Sequence, residues 1–214
     1  MTKIKLLAFS LSLDGFGAGI NQDLNNPLGV RGGEMFEWMF HTKRFKSMTG
    51  QQGGDEGVDN DFAERSFENV GCWILGRNMF GPIRGDWPDD EWKGWWGDEP
   101  PYHVPVFVLT HYKRKSIEMK GGTTFHFVTD GIETALKEAR KAVNGKDIRI
   151  GGGVSTIRQF LQAGYIDEIH FALAPVLLGA GEHLFTGIDM HRLGFKNIKK
   201  VDGEKATHLL ITKG

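Results

Sequence analysis

The chain has a single cysteine, Cys72, in 214 residues. An intrachain disulfide is therefore excluded, and so is a thiolate metal cluster. Cys72 lies in the apolar run GCWILG and reads as a small buried hydrophobe rather than a nucleophile. Neither sign of charge is in excess: 26 Lys and Arg face 27 Asp and Glu, for a net charge of −1. That balance argues against a dedicated nucleic-acid binder, whose face is basic. No apolar run has membrane length. The N-terminal MTKIKLLAFSLSLDG is too short to span and is followed by no small-residue cleavage site, so it reads as a first strand of a cytoplasmic protein. The eight histidines show no HExxH or other tight spacing, and no catalytic metal is expected. Repeats, low-complexity tracts and linkers are also missing. What remains is a 40% hydrophobic chain of a size that suits one α/β domain over residues 1–214.

Patterning fills in that domain. Residues 3–12 read as a buried strand and 14–34 as a Gly/Asn/Asp-rich loop. The spacing of Phe36, Trp38, Met39 and Phe40 predicts a helix over 33–45, and a second helix over 59–70 would be opened by an Asx cap. Strands are expected at 72–75, 104–110, 123–128 and 148–150, with amphipathic helices at 131–143 and 154–164. Residues 85–101 hold four of the six tryptophans in irregular chain. A long strand over 166–178 is interrupted at Pro175, and 195–214 reads as a hairpin with VDGEK near its turn. Strands alternating with helices, then pairing by hairpin, predict a mostly parallel sheet with an antiparallel edge.

The informative junction is DIRIGGGVSTIRQFL, residues 147–161, where a strand meets Gly151, Gly152 and Gly153 and then a helix. Ligands of open parallel sheets sit beyond the carboxyl ends of the strands, and a helix N-terminus offers unpaired N–H groups to an anion. A phosphate cradled there, with hydroxyls from Ser155 and Thr156, is one reading; a tight strand-to-helix turn is the other. The run is neither a Walker loop nor a full GxGxxG fingerprint. Two more strand ends favour anions. LGRNMF places Gly76, Arg77 and Asn78 at a turn, and VLTHYKRK follows Thr110 and His111 with Lys113 and Arg114. Three such ends in one sheet point to a dinucleotide, and the extra cations favour the 2′-phosphorylated form, NADP(H).

Together with SLDG (12–15) and IDEIHFALAPVLLGAGEHLF (166–185), these stretches resemble the dihydrofolate reductase superfamily, and most of all its RibD C-terminal (riboflavin-biosynthesis reductase) branch. The resemblance implies a three-layer α/β/α fold around a mixed sheet of about eight strands. It implies NADPH and a pterin- or pyrimidine-like substrate. By position, Gly76, Arg77 and Asn78 would meet the cofactor phosphates, and Thr110, His111, Lys113 and Arg114 the adenosine ribose phosphate. Gly151, Gly152, Gly153, Val154, Ser155 and Thr156 would cradle the diphosphate. Ala8, Leu13, Asp14 and Gly15 would lie against nicotinamide and substrate. This branch commonly pairs as a homodimer, and against its simple members the resemblance implies a loop and helix insertion around 21–58.

Hydride transfer needs a matching proton. Asp14, Asp61 or an ordered water could supply it; Asp14 could equally be a turn residue beside Gly15. Asp59 reads better as a helix cap than as a substrate ligand. Trp38 and Phe36 would wall the substrate, whereas most tryptophans of 85–101 read as packing. Three rival functions remain, one of them a folate reductase, which methotrexate would inhibit. A 5-amino-6-(5-phosphoribosylamino)uracil reductase would need a cation such as Arg31 for the substrate phosphate, and a non-catalytic nucleotide-binding protein would bind NADPH without turnover.

Overall fold

A computed structural model describes residues 1–83 and 85–214. The chain runs β1 (Ile4–Leu11), β2 (Phe16–Ala18), α1 (Glu37–Phe40), α2 (Lys43–Met48), α3 (Val58–Arg65), β3 (Val70–Gly76) and α4 (Arg77–Phe80). It continues through β4 (Pro105–Leu109), β5 (Ile117–Glu118), β6 (Thr124–Val128), α5 (Gly131–Ala142), β7 (Asp147–Gly152) and α6 (Val154–Gln162). It ends with β8 (Glu168–Leu173), β9 (Glu182–His183), β10 (Phe195–Asp202) and β11 (Thr207–Lys213). Nine strands form one sheet in the order β10-β11-β8-β1-β7-β3-β4-β6-β5, and β2 pairs with β9 beside it. The six central strands are parallel; β11, β10 and the short β5 make antiparallel edges. The extra strand over the eight expected is β5.

Alternation along the strands builds two cores, because successive side chains point to opposite faces. Cys72, Ile74, Phe107, Ile148 and Ile150 face α5 and α6, which bury Ile132, Leu136, Ala139, Ile157, Phe160 and Leu161. The opposite face is shared. Trp73, Leu75, Val106, Val108 and Phe125 pack under Phe80, Tyr102 and tryptophans 87, 92 and 96. Farther along, Trp38, Phe62 and Ala63 cover Ala172, Ala8 and Leu210. The result is three layers, helices or chain on either side of the sheet.

Strand β1 keeps this order only through a bulge. Ile4 and Leu6 point to the α5–α6 face, and so do Phe9 and Leu11, which an unbroken strand would aim the other way. The pairing with β8 shifts register between Leu6 and Phe9, and Ala8 takes φ 52° there.

Three predicted elements differ. The single helix over 33–45 is broken: a 3-10 turn at Gly32–Phe36 leads into α1, and α2 restarts after Thr42. Thr42 is extended, and its hydroxyl accepts from Phe45 N (3.1 Å) while donating to Met39 O (2.7 Å), so a good N-cap residue starts a second helix. The second helix is α3, ending at Arg65 instead of residue 70. The strand over 166–178 stops at Leu173, where pairing with β11 ends at Thr207 and Pro175, two residues on, has no N–H to continue the ladder. The terminal hairpin is as expected, closed by Gly203 N–H on Ala206 O at 2.9 Å.

Candidate functional site

A cleft of about 430 Å³ opens at the carboxyl ends of β3, β4, β6 and β7. It brings together the three strand ends singled out in the sequence: Gly76, Arg77 and Asn78; Thr110 and His111; and Gly153, Val154, Ser155 and Thr156. It also takes in Tyr112, Thr129, Gly131, Gln159 and Glu182, which the sequence reading missed. Thr129 and Gly131 had a legible signal, since TDGIET is another strand end opening a helix. Gln159 lies one turn beyond Ser155 on α6. Glu182 had none, because it arrives on the small β2–β9 ribbon.

The helix α6 begins at the cleft. Its first internal bond runs from Ile157 N to Gly153 O (3.1 Å), so the N–H groups of Val154, Ser155 and Thr156 precede the ladder. A β-carbon on Gly153 would stand in open space, which leaves room for an anion close to those donors. The residues present therefore fit a phosphate-bearing cofactor. Gly151 and Gly152 are bare for other reasons and do not line the cleft. A β-carbon on Gly151 would press on the Trp73 ring (3.0 Å) and Met79 Sδ (3.2 Å), and Gly152 has φ 132°. Gly76 is bare because the Thr156 hydroxyl occupies the space a side chain would need.

Arg77 forms one wall. Its guanidinium lies between the rings of Trp87 (3.8 Å) and Tyr112 (4.9 Å) and donates to Gly85 O at 2.5 Å. Trp87 in turn donates to Tyr112 O at 3.1 Å. Tryptophans 87, 92 and 96 pack into the second core and Trp95 donates to Met79 O, so this segment buttresses the cleft.

Several expected site residues lie elsewhere. Arg114 faces away: its side chain is 2% exposed, stacks near Trp87 (4.8 Å) and Phe127 (5.4 Å), and donates to Asp90 O and Trp92 O. Burial lowers its pKa. Lys113 is exposed outside the cleft lining. Trp38 is a core residue, 1% exposed, with its indole N–H on Ser10 Oγ at 2.9 Å, because α1 turns that face onto the sheet. Asp61 points to solvent: α3 buries Asp59, Asn60, Phe62 and Ala63, which leaves position 61 outward. Asp59 is not a cap either. Glu204 accepts from Val58 N and Asp59 N in that role, while Asp59 bonds His208 inside the protein. Arg31 is committed to Glu34 through two bonds of 2.8 Å and to Leu177 O at 3.0 Å.

The first loop is a tied structure. Leu13 is exposed, and Gly15 adopts φ 81° with His183 in the space a side chain would need. The Asp14 carboxylate accepts from Leu178 N (3.1 Å) and Gly179 N (2.7 Å), clamping this loop to the segment after β8. The Ser12 hydroxyl and those two N–H groups pull its pKa down to about 2. Ala8 is half-buried in β1, beyond the last β1–β7 pair, Leu6 with Ile150, and so stands level with the glycine turn. Cys72 is buried, with its thiol pushed up to about 12 by desolvation. Among the described residues no group of His, Cys, Asp or Glu is placed to hold a metal ion, and no helix is long and apolar enough to cross a membrane.

Residues 6–207 match the family model of the RibD C-terminal domain. The uncharacterized protein YyaP of Bacillus subtilis is 30% identical over 95 residues, 42% of this chain and 50% of YyaP, so the matched stretch spans half of that curated relative. A provisional riboflavin biosynthesis protein from Shewanella sp. PV-4 shares the fold over 100% of this chain and 99% of its own (TM-score 0.55, 22% identity). A diaminohydroxyphosphoribosylaminopyrimidine deaminase/5-amino-6-(5-phosphoribosylamino)uracil reductase from Thermotoga maritima does so over 100% of this chain and 57% of its own (TM-score 0.57, 14% identity). The architecture shared with these neighbours is a mixed, mostly parallel sheet with an antiparallel edge and helices on either side.

Proposed function

The chain belongs to the RibD C-terminal domain family, and from that premise we propose that it is an NADPH-dependent reductase acting on a small pterin- or pyrimidine-like heterocycle. The observation that carries the reading is the convergence of three anion-friendly strand ends on one cleft at the start of α6. NADPH, when bound, supplies the hydride. The N–H groups of Val154, Ser155 and Thr156 hold its diphosphate, with Arg77 and Asn78 beside them. Thr110 and His111 hold the adenosine ribose phosphate at the β4 end. A dinucleotide held at β4, β3 and β7 would extend its other half toward the next strand, β1, where Ala8 would line the nicotinamide end. The loop after β1, pinned by Asp14, then shields that end from water. Asp14 has no proton to give near neutrality and Asp61 faces solvent, so water delivers the proton. The same proposal keeps the chain in the cytoplasm and allows it to pair with a second copy.

The riboflavin-pathway substrate is the weaker form of this reading, because Arg31, the cation it would use, is occupied by Glu34 and Leu177. The test is thermal or denaturant stability with NADPH and NADH at matched concentration. NADPH is expected to stabilise by at least about 1 kcal/mol more than NADH. Equal stabilisation, or none by either, overturns the reading.

A further inference from the structure

Beneath the β1 bulge lies a row of buried polar groups that the proposed chemistry does not use. Asp59, His208 and His170 are 4%, 0% and 2% exposed. His208 Nε2 lies 2.8 Å from Asp59 Oδ1, His170 Nε2 lies 2.9 Å from His208 Nδ1, and Ala8 N lies 3.1 Å from His170 Nδ1. The direction of every bond follows from one end. A main-chain N–H can only donate, so His170 Nδ1 accepts from Ala8 and its proton sits on Nε2. That N–H donates to His208 Nδ1, so the His208 proton also sits on Nε2 and is donated to Asp59. The other oxygen of Asp59 accepts from Lys205 N at 2.8 Å. Both imidazoles are thus neutral and each is locked in one tautomer. The Phe62 ring stacks on both (4.6 and 4.1 Å), and Trp38 closes them edge-on (6.4 and 5.2 Å).

The row joins α3, β11 and β8 to one peptide of β1, the one at the register shift. Nothing in β1 itself favours that conformation, since Ala8 holds φ 52° without being glycine. An acceptor fixed from below is what the bulge requires. We propose that Asp59, His208 and His170 are positioning residues: they fix the Ala8 peptide and thereby set the end of the site where the reacting ring lies, without touching it. This rests on the cofactor reading above, because the ring's place beside Ala8 comes from it. The proton row itself leads nowhere, since an amide N–H cannot pass a proton on; its role is geometric.

The test uses two nucleotides, NADPH and 2′,5′-ADP, the second lacking the nicotinamide half. His170→Phe removes the acceptor for Ala8. It is expected to weaken NADPH about tenfold and leave 2′,5′-ADP within about twofold, since only the nicotinamide end loses its placement. His170→Asn puts an amide oxygen near the Nδ1 position and is expected to recover most of the NADPH affinity. On the wild-type protein, imidazole ¹⁵N spectra should show both rings protonated at Nε2 alone, and the Ala8 amide should be protected from exchange. Equal loss of both nucleotides in His170→Phe, no loss of either, or an Nδ1 proton on His170 overturns the proposal while leaving the reductase reading in place. A wild-type protein that binds neither nucleotide but shows the Nε2 tautomers overturns the reductase reading and, with it, the role given to the row.

Discussion

The Arg77 guanidinium carbon lies 3.8 Å from the centre of the Trp87 ring, at the edge of the cleft. A flat cation resting on an indole face is held by the ring quadrupole, worth about 0.5–2 kcal/mol depending on desolvation. Trp87 also holds the Tyr112 carbonyl, so one tryptophan fixes both the cation and the β4 end of the cleft. Trp87→Ala is therefore expected to weaken NADPH about tenfold, from the loss of a contact of that size. Isothermal titration reads the change. Unaltered affinity in a folded variant would show that Arg77 does not need its platform.

Two glycines at the same turn answer differently to alanine. Gly153 has extended φ and ψ with open space at its β-position, so Gly153→Ala places its methyl without a clash and is expected to block nucleotide binding. Gly76→Ala meets the Thr156 hydroxyl and is expected to cost about 1–3 kcal/mol of stability through overpacking. Denaturant midpoints and NADPH titration on both variants separate the roles. Retained binding in Gly153→Ala would remove the diphosphate from this place.

Much of this was legible in the sequence for a physical reason. Strand ends that meet helix starts use glycine and hydroxyl residues in short, local patterns, and Gly153, Ser155, Thr156, Arg77 and Thr110 all sit in such patterns. The periodicity of 131–143 and 154–164 also marked helices that do bury one face. What stayed hidden depends on long-range contact. Arg114 looks like a phosphate cation until tryptophans 87 and 92 enclose it. Trp38 looks like a cleft wall until Thr42 splits its helix and turns it inward. Asp59 looks like a cap until Glu204, 145 residues away, takes that position. Nothing local announces that His170 and His208, 38 residues apart, would line up behind it in one hydrogen-bonded row.

Asp14 offers a test of where the proton comes from. The Ser12 hydroxyl, with Gly179 and Leu178 N–H, holds its pKa at about 2, so it is ionised throughout the working range. Asp14→Asn is expected to leave the pH profile of turnover unchanged in shape between about pH 5 and pH 8, because no limb in that range belongs to Asp14. It should lower the melting temperature modestly, since an amide cannot accept both N–H bonds as a carboxylate does. A lost acid limb in the variant would restore Asp14 as proton donor.

The histidine row predicts how stability follows pH. Burial first, then the nearness of His208, Arg149 and Arg65, lowers the pKa of His170 from 6.5 to about 3. Burial also lowers that of His208, against the opposing pull of Asp59 and Glu204. Unfolding returns both rings to water, where they take up protons near pH 6.5. Below that value the unfolded chain binds protons that the native state refuses. Stability is thus fully present above about pH 6.5 and falls toward acid, by about 1.4 kcal/mol per pH unit for each ring kept neutral. The window from about pH 6.5 to 5 leaves out the carboxylates, which begin to titrate only below it, while His126, whose pKa burial also lowers, contributes equally to the wild type and to a variant at position 170. Urea unfolding of the wild type and of His170→Asn across that window should differ in slope by about one proton, with the wild type the steeper. Parallel slopes would mean that His170 is protonated in the native state, and a charged ring cannot accept the Ala8 N–H.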